Sequence, residues 1–345
     1  MGGGPCAAYT LPPMATPARD GDDAGVESNG RHAFGRRCIL CGTDGSAGAR
    51  AVVNVAARLA ERLALPLVLV VAIPSAPAPR RGAGADGAAV RESRVTRARQ
   101  RLGHVATALA RDERFAALEL AQARTEVGDP AERLVAAADE LGADLLVVGA
   151  GGRRWARAAP LGSVSSALAA RAPCPVVVVP RGAPSSLRAP PGDQSVVCGV
   201  ELGDASVAVA EVALGLAERL GLRLVLAHVE AGAEPARSAS VEHPTSRDHG
   251  TRSAHRRLCR VAEVLAPACP EVRLERGEPA GVLERVAARE SAALLVVGAG
   301  GGGGLGLPLL GAVSQRLAAT ASRPVVLVPP AIVEAIESLL DATSW

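Results

Sequence analysis

Residues 145–152, with the sequence LLVVGAGG, return unchanged at residues 294–301. Each copy is a run of Leu and Val followed at once by closely spaced glycines. Such a run is typical of a strand buried on both faces of a parallel sheet, and the glycines allow the backbone to approach a ligand closely. An identity of this length within one chain also indicates an internal repeat. The chain is therefore predicted to contain two copies of one α/β unit.

Three further pairs of segments extend the repeat on both sides of its middle. Their alignment shows that the second copy is eight residues shorter between its second strand and the GEPA segment. Such a difference is expected when a surface loop varies in length between fixed elements. The aligned pairs are CILCGTD (38–44) with VVCGVE (196–201), LVLVVAI (67–73) with LVLAHVE (224–230), and GDPA (128–131) with GEPA (277–280).

Strands and helices are predicted to alternate along each copy. Val- and Leu-rich runs that do not alternate with polar residues favour parallel strands covered by helices on both faces. Right-handed crossovers then give the fold class, α/β, with two tandem doubly wound, five-stranded parallel-sheet domains of Rossmann-like type. In the first copy the predicted strands are 38–43, 67–73, 117–127, 145–148 and 176–179, and the predicted helices are 49–63 with Ser46 as its N-cap, 93–111, 131–141 and 164–171, with a loop over 74–92.

Composition shifts set the predicted domain boundaries. The Gly- and Pro-containing start lacks a core pattern and is predicted to be disordered, and a Pro- and Ser-rich stretch reads as a linker between the two copies. The predicted organisation is a tail over 1–35, domains over 36–180 and 195–330, a linker over 181–194, and a helical extension over 331–345.

Charge and composition argue against several classes of partner. The chain has 345 residues, 48% of them apolar but only 1% aromatic, and a formal net charge of +3. Few aromatic rings and balanced charge do not suit a nucleic-acid surface, so no nucleic-acid partner is expected. No apolar run is long enough for a membrane span, and the start does not resemble a secretory signal, so no membrane association and a cytoplasmic location are expected.

The cysteines are scattered, which fits core packing in a reducing compartment. Cys38 and Cys41 form a C-x-x-C pair, but they fall within a strand-like run rather than at a helix start. Redox-active pairs usually lie at a helix N-terminus, where the helix dipole lowers a thiol pKa. We therefore expect these two side chains to pack in the core.

The glycine run after the fourth strand has the spacing G-x2-G-x9-G-S. Consecutive backbone N–H groups of such a loop, together with the start of the following helix, can hold an anion. Hydroxyl groups of Ser163 and Ser165 could donate to phosphate, and Arg153 with its neighbour Arg154 could neutralise its charge. The spacing is carried by Gly149, Gly152, Gly162 and Ser163.

This arrangement resembles the universal stress protein family, whose ATP-binding members carry G-x2-G-x9-G-[S/T] after strand four and an Asp after strand one. The resemblance covers roughly 38–180 and 196–330, and it implies an adenine nucleotide alpha hydrolase-like fold and ATP as ligand, with or without Mg²⁺. It also implies dimerisation through the last strand, either within the chain between 176–179 and 325–328 or between two chains as a homodimer. In the first copy the resemblance implies that Asp44, close to Gly42, holds the adenine and that Ala72 lines the base pocket. The implied phosphate contacts are Gly149, Gly152, Gly162 and Ser163, with Arg153, Val164 and Ser165 adjacent to them.

The second copy departs from the family pattern. Ala312 occupies the place of Ser163, Glu201 replaces Asp44, and residues 301–311 contain no basic side chain. The stronger ATP site is therefore predicted in the first copy. The matching second-copy positions are Gly199, Glu201, Val229, Gly298, Gly301, Gly311, Val313 and Ser314, where Ser314 could partly compensate for Ala312.

Structural interpretations stand beside each of these assignments. Asp44 also suits a turn after strand one, Ser163 suits a helix N-cap, and Arg153 suits a solvated loop. His228, at a strand end, is more often a structural histidine than a catalyst.

The leading functional hypothesis is a non-enzymatic module that senses an adenine nucleotide. A nucleotide-free scaffold that acts through dimerisation and partner contacts is the alternative from another class. A nucleotidyl-transferring or adenylate-forming enzyme is a third, although its S-G-G-x-D-S and H-I-G-H signatures do not occur here. No lysine follows the glycines as in a P-loop, so P-loop NTPase chemistry is not predicted.

Overall fold

The computed structural model describes residues 37–46, 49–75, 86–151, 161–182, 194–232, 247–266, 268–300 and 310–343. The predicted tail over 1–35 and most of the predicted linker lie outside these residues. The C-terminal extension is helical, as α9 below.

Five strands and four helices of the first half follow the predicted alternation. A short 3₁₀ turn over Glu113–Phe115 precedes the third strand. The elements are β1 (Cys38–Gly42), α1 (Arg50–Leu63), β2 (Leu67–Ile73), α2 (Asp86–Ala110), β3 (Leu120–Val127), α3 (Pro130–Leu141), β4 (Ala143–Gly149), α4 (Ser163–Arg171) and β5 (Val176–Val179).

The second half repeats this order and adds a final helix. Its elements are β6 (Ser195–Gly199), α5 (Ser206–Leu220), β7 (Arg223–Glu230), α6 (Arg247–Val264), β8 (Glu271–Arg276), α7 (Pro279–Arg289), β9 (Ala292–Gly298), α8 (Ala312–Thr320), β10 (Val325–Val328) and α9 (Pro330–Thr343).

The described strands form one ten-stranded sheet in the order β3-β2-β1-β4-β5-β10-β9-β6-β7-β8. Pairing is parallel within each half and antiparallel at the centre, where Val178 lies opposite Val325 and Val176 opposite Leu327. The last strands of the two halves therefore pair within the chain, which is one of the two pairings that the resemblance implied. Because each of them has a neighbour on both sides, the other expectation, a homodimer through these same strands, does not fit this sheet.

Helices cover both faces of the sheet and bury two apolar layers. Leu102 of α2 and Leu258 of α6 belong to one layer, whereas Leu134 of α3 and Leu283 of α7 belong to the other. Neighbouring strand residues enter opposite layers, which explains why the inner strands β2, β5 and β10 are apolar at every position. The α/β fold of two doubly wound halves is as predicted.

One ion pair, between Asp144 and Arg219, and one side-chain-to-backbone hydrogen bond join the halves near the centre of the sheet. Asp144, at the start of β4, lies 3.0 Å from the guanidinium of Arg219 on α5 and 3.1 Å from that of Arg37. Arg62 of α1 occupies the position that corresponds to Arg219 of α5, and it donates to the carbonyl oxygen of Leu220 at 2.9 Å. The two halves are thus held by charged contacts in addition to the central strand pair.

Helix boundaries show where local signals succeed and where they do not. Asp129 caps α3, because its carboxylate accepts from the N–H groups of Ala131 and Glu132 at 3.0 and 3.1 Å. The prediction that Ser46 caps the first helix is wrong. Ser46 lies in the preceding turn, its carbonyl oxygen accepts from the N–H of Ala49, and Ala49 is the N-cap.

Two other boundaries differ from the expected ones. The second helix begins at Asp86, within the predicted loop over 74–92. The third strand begins only at Leu120, since Asp112 caps the 3₁₀ turn and keeps the chain out of the sheet until after it. No helix among the described residues is both long and apolar enough to cross a membrane.

Candidate functional site

Each half has one crevice where the order of its strands reverses. In the first half β1 lies between β2 and β4, so the chain leaves β1 toward one side and returns as β4 on the other. Open α/β sheets bind ligands at the carboxyl ends of the strands at such a point. The flanking residues are Gly42 and Gly149 in the first half and Gly199 and Gly298 in the second.

The described first-half candidates all fall at this edge of the sheet. They sit at the carboxyl ends of β1, β2 and β4 and at the start of α4, and they are Gly42, Asp44, Ala72, Gly149, Gly162, Ser163, Val164 and Ser165. Gly152 and Arg153 lie outside the described residues.

The two stretches that were expected to hold phosphate are in direct contact. The N–H of Gly162 donates to the carbonyl oxygen of Ala150 at 2.8 Å, and the N–H of Ala150 donates to Val179 at 3.0 Å. These bonds close the glycine loop on the sheet. They also occupy two of the N–H groups that the prediction assigned to phosphate, so those two groups cannot bind it in this arrangement.

Three other N–H groups remain at the start of α4. Gly162 is the N-cap and has no side chain to accept from them, and the first helical hydrogen bond runs from Ser166 N to Gly162 O. Among the described residues no partner is found for the N–H groups of Ser163, Val164 and Ser165. A helix start of this kind presents unpaired donors and the positive end of the helix dipole to an anion.

The two serines of this helix have roles that differ from those predicted. Ser163 is the first helical residue and not the N-cap, which is Gly162. The buried Ser165 hydroxyl donates to the carbonyl oxygen of Gly149 at 2.7 Å. A hydroxyl has one hydrogen to donate, so Ser165 does not donate to phosphate while this bond exists. Ser314 makes the same bond to Gly298 at 2.6 Å, which removes its predicted compensation for Ala312 in the same way.

Asp44 shapes the turn after β1. Its Oδ1 accepts from the N–H of Ser46 at 2.9 Å, and the Thr43 hydroxyl accepts from Gly45, whose φ is +64°. This geometry supports the turn interpretation of Asp44. It does not compete with a base contact, because a carboxylate offers about four acceptor positions and the Asp44 side chain is exposed.

Glycine at the ends of β1 and β6 has a packing reason of its own. A Cβ on Gly42 would lie 2.9 Å from Leu134 Cδ1, and one on Gly199 would lie 2.9 Å from Leu283 Cδ1. Both distances are too short for carbon atoms, so the helix on this face approaches the strand only because no side chain is present. These two glycines therefore do not by themselves indicate a ligand.

The crevice of the second half is a cavity of about 290 Å³. Six residues predicted from the repeat line it, namely Gly199, Glu201, Val229, Gly298, Val313 and Ser314. Gly311 instead caps α8 and donates to the carbonyl oxygen of Ala299 at 2.9 Å. Gly301 lies outside the described residues.

Several lining residues were not predicted from the sequence. Ser206 and Val209 come from α5, and Pro279 and Leu283 from α7. The matched GDPA and GEPA turns were the available signal for Pro279, because they place the start of this helix at the same edge of the sheet as the glycine run. His228 was assigned only a structural role.

His228 both stabilises the turn after β6 and lines the cavity. Its Nδ1 lies 2.7 Å from the carbonyl oxygen of Val200, and only a protonated nitrogen can bond to that acceptor. The ring is thus fixed in one orientation. The structural role expected for His228 is present, and the ring is in addition part of the cavity wall.

The groups with shifted pKa values among the described residues do not line the crevices. The perturbed groups lie elsewhere: burial raises the pKa of the Cys38 thiol to about 11 and those of Cys41 and Cys198 to about 12. The described residues contain no group of three or more His, Cys, Asp or Glu side chains arranged for a metal ion. The crevices offer backbone N–H groups, hydroxyls and carboxylates, which is a set suited to binding.

Comparison with known proteins agrees with the fold and the repeat. The family model described as "Universal stress protein family" matches residues 35–180 and again 194–329. The universal stress protein Rv2005c of Mycobacterium tuberculosis is 30% identical over 189 residues, which cover 54% of this chain and 61% of that protein. The aligned region thus spans about three fifths of the length of that relative.

Two solved structures extend the comparison. A universal stress protein from Archaeoglobus fulgidus is 17% identical and superimposes with a TM-score of 0.59, covering 86% of this chain and 99% of its own, which shows a shared fold. A universal stress protein solved in complex with cAMP is 30% identical over 41% of this chain and 96% of its own, with a TM-score of 0.28. On the two family matches, which together cover most of its length, this chain belongs to the universal stress protein family and carries two copies of its domain in tandem.

Proposed function

We propose that the first half of this chain binds ATP or a related adenine nucleotide, and that the protein acts as a regulatory or sensing module in a stress response. The observation that carries this proposal is the uncapped start of α4. There the N–H groups of Ser163, Val164 and Ser165 lie beside the carboxyl end of β4, at the point where the strand order reverses.

Electrostatics favour a phosphate chain at this place. The helix dipole alone stabilises an anion by roughly 0.3–2 kcal/mol. Each charge-assisted hydrogen bond from the three N–H donors adds to this. The sequence adds Arg153 and Arg154 to the loop that joins β4 to α4. We therefore assign the phosphates to the segment between Gly149 and Ser165.

The base is assigned to the other side of the crevice. Asp44 follows β1, and its exposed carboxylate can accept from the amino group of adenine. Ala72 lies one residue from the end of β2 and presents a small apolar side chain to the ring. Mg²⁺ is proposed only as a counterion that arrives with the phosphates, and no catalytic residue is assigned.

The test is an ATP titration of the full chain by calorimetry. Gly162→Glu places a carboxylate at the helix start, and we expect it to weaken ATP binding at least about tenfold, which corresponds to ~1.4 kcal/mol. Ser163→Ala should weaken it less, because the N–H group remains. Gly103→Glu is the matched control, since Gly103 is exposed on α2 and a Cβ there meets nothing within 4 Å. Equal affinities for the wild type and Gly162→Glu would refute the assigned phosphate site.

A nucleotide-free scaffold remains the second candidate, and one observation favours it. The Gly162 and Ala150 N–H groups and the Ser165 hydroxyl are all bonded within the protein, so these three donors already have acceptors. If this candidate is right, the purified protein should release no nucleotide on mass analysis. Its thermal unfolding midpoint should also not rise in millimolar ATP, whereas a bound ligand would raise it.

A further inference from the structure

We propose that the cavity of the second half selects an uncharged nucleoside that carries an exocyclic amino group, such as adenosine, over a nucleoside triphosphate. His228 is the specificity-determining residue. This inference rests on the proposed function, because it assigns a different ligand class to the second copy of the same crevice.

The two crevices differ at positions that define their polarity. His228 of β7 stands where β2 has Val71, Ser206 of α5 stands where Ala49 precedes α1, and Glu201 stands where the first half has Asp44. The helix start on the opposite side has changed as well, since α8 begins with Ala312. Most other lining positions keep small apolar residues in both halves. The second cavity has thus gained an imidazole near the end of β7 and a hydroxyl on α5, and it has lost the hydroxyls of Thr43 and Ser163, which Val200 and Ala312 replace.

His228 lines the cavity and has a second ring nitrogen that can accept a hydrogen bond. Its Nδ1 is committed to the carbonyl oxygen of Val200 at 2.7 Å, so in the neutral ring the proton lies on Nδ1 and Nε2 carries a lone pair. Among the described residues, Nε2 has no hydrogen-bond partner. A ligand that fills the cavity must therefore either donate to this nitrogen or leave it unsatisfied.

Glu201 supplies a second acceptor on the neighbouring segment. Its carboxylate follows Val200 directly and also lines the cavity. An exocyclic amino group has two N–H donors, and it is the group on adenine that can satisfy acceptors in this part of the crevice. A base without an amino group, such as unsubstituted purine, offers no such donor.

Charge disfavours a phosphate chain in the same cavity. None of its described lining residues is Arg or Lys, and the sequence 301–311 contains no basic residue. Two guanidinium groups contact neighbouring segments but already have acceptors: Arg257 donates to the Leu202 carbonyl oxygen, and Arg316 pairs with Glu278 at 3.1 Å. The open N–H groups at the start of α8 can donate to the oxygen of a neutral ribose hydroxyl.

Size points in the same direction. Pockets for small molecules usually range from about 300 to 1,000 Å³, and this cavity of about 290 Å³ lies at the lower end. It is lined mainly by Val, Leu, Ala and Pro side chains, which suit a flat apolar base. A nucleoside fits this description better than a triphosphate does.

The experiment uses the full chain with Gly162→Glu, which weakens ATP binding by the first half, and it attributes to the second half the nucleoside binding that a further substitution of His228 removes. Adenosine, purine riboside (the same nucleoside without the amino group) and ATP are titrated by calorimetry. We expect adenosine to bind at least about tenfold more tightly than ATP, and about fivefold more tightly than purine riboside, the latter being the usual contribution of one neutral hydrogen bond. ATP binding as tightly as adenosine, equal affinities for the two nucleosides, or no adenosine binding would each overturn the inference.

A substitution identifies the residue responsible. In His228→Val, which copies the first half, the preference for adenosine over purine riboside should fall by at least about twofold, because Glu201 alone still accepts from the amino group, and purine riboside itself should change by less than about twofold. An undiminished preference for adenosine in this variant would overturn the role of His228. If the variant does not fold, the comparison of the two nucleosides on unaltered His228 still decides the question.

Failure of this inference is distinguishable from failure of the proposed function. ATP titration of the wild type reports on the first half, whereas the nucleoside series in Gly162→Glu reports on the second. Adenosine binding with amino selectivity but no ATP binding would sustain the inference and refute the proposed function. ATP binding that Gly162→Glu abolishes, without any nucleoside binding in that variant, would do the reverse.

Discussion

The hydroxyl group of Ser165 donates a 2.7 Å hydrogen bond to the carbonyl oxygen of Gly149, the last residue of β4. Ser314 repeats this bond to Gly298 in the second half. Each bond ties the start of a helix to the end of the strand before it, across the intervening loop. The helix N-terminus is thereby held at the strand edge, which is where an anion could be bound.

Ser165→Ala should lower the stability of the protein. The substitution removes a donor from a serine that is 3% exposed, and leaving a buried acceptor without its partner costs about 1–3 kcal/mol. The free energy of unfolding can be measured by denaturant titration. Ser338→Ala is the control, since Ser338 lies exposed on α9 and its hydroxyl donates to the carbonyl oxygen of Glu334 one turn earlier. If Ser165→Ala were as stable as this control, the bond would not hold the helix.

Asp144→Asn should weaken the junction between the two halves. Asp144 has a side chain that is 16% exposed and pairs with Arg219 of the second half as well as with Arg37. Losing the charge leaves two guanidinium groups without their partner, and we expect a loss of about 1–3 kcal/mol in the free energy of unfolding.

The control for the junction is Glu140→Gln. Glu140 is 64% exposed and pairs with Arg124 at 3.3 Å, so its loss should cost less than about 0.5 kcal/mol. Equal effects of the two substitutions on the denaturation midpoint would contradict a role for Asp144 at the junction.

Two glycine-to-alanine substitutions should change the free energy of unfolding in opposite directions. Gly42→Ala forces a Cβ to within 2.9 Å of Leu134, and overpacking of this kind typically costs about 1–3 kcal/mol. Gly103→Ala, on the exposed face of α2 with nothing within 4 Å, should stabilise the protein by about 0.5–1 kcal/mol through helix propensity. Thermal or chemical denaturation measures both, and a neutral Gly42→Ala would show that α3 can retreat from the strand.

Buried thiols should make the protein sensitive to alkaline pH. Burial raises the pKa values of Cys41 and Cys198 from 9.0 to about 12, so the folded state keeps protons that the unfolded state loses. The stability that they contribute is present below about pH 9 and is lost as the pH rises toward 12. The chain contains no lysine and a single tyrosine, so the other groups that titrate in this range are mainly the remaining cysteines.

The measurement is the free energy of unfolding between about pH 8 and pH 10.5. Its decrease should become smaller in the double variant Cys41→Ala, Cys198→Ala, although that variant is less stable at neutral pH. Cys269→Ala, which removes an exposed thiol, is the control and should leave the pH dependence unchanged. An identical slope in all three proteins would contradict the assignment of the alkaline loss to buried thiols.

The strands were predictable because their chemistry is local and uniform. Val176–Val179 and the Leu and Val residues before Gly149 are apolar at every position, which only a strand covered on both faces explains. The Asp129-Pro130 pair likewise indicates a helix start, and in the structure Asp129 is the N-cap of α3 and Pro130 its first residue.

What could not be predicted depends on partners that the local pattern does not reveal. Ser46 looks like a helix cap, but its N–H donates to the Asp44 carboxylate in a turn, and the helix begins only after Ala49. Ser165 looks like a phosphate donor until the carbonyl oxygen of Gly149 is seen beside it. The part played by His228 depends on Val200 of the neighbouring strand end, and no periodicity within β7 indicates that contact.

The most direct test of the account is the number of ATP molecules bound per chain, measured by calorimetry on three matched proteins. The account predicts one ATP for the wild type, none at comparable affinity for Gly162→Glu, and one for Gly311→Glu, which makes the same change at the start of α8. Loss of ATP binding in Gly311→Glu but not in Gly162→Glu, or no ATP binding by the wild type, would contradict it.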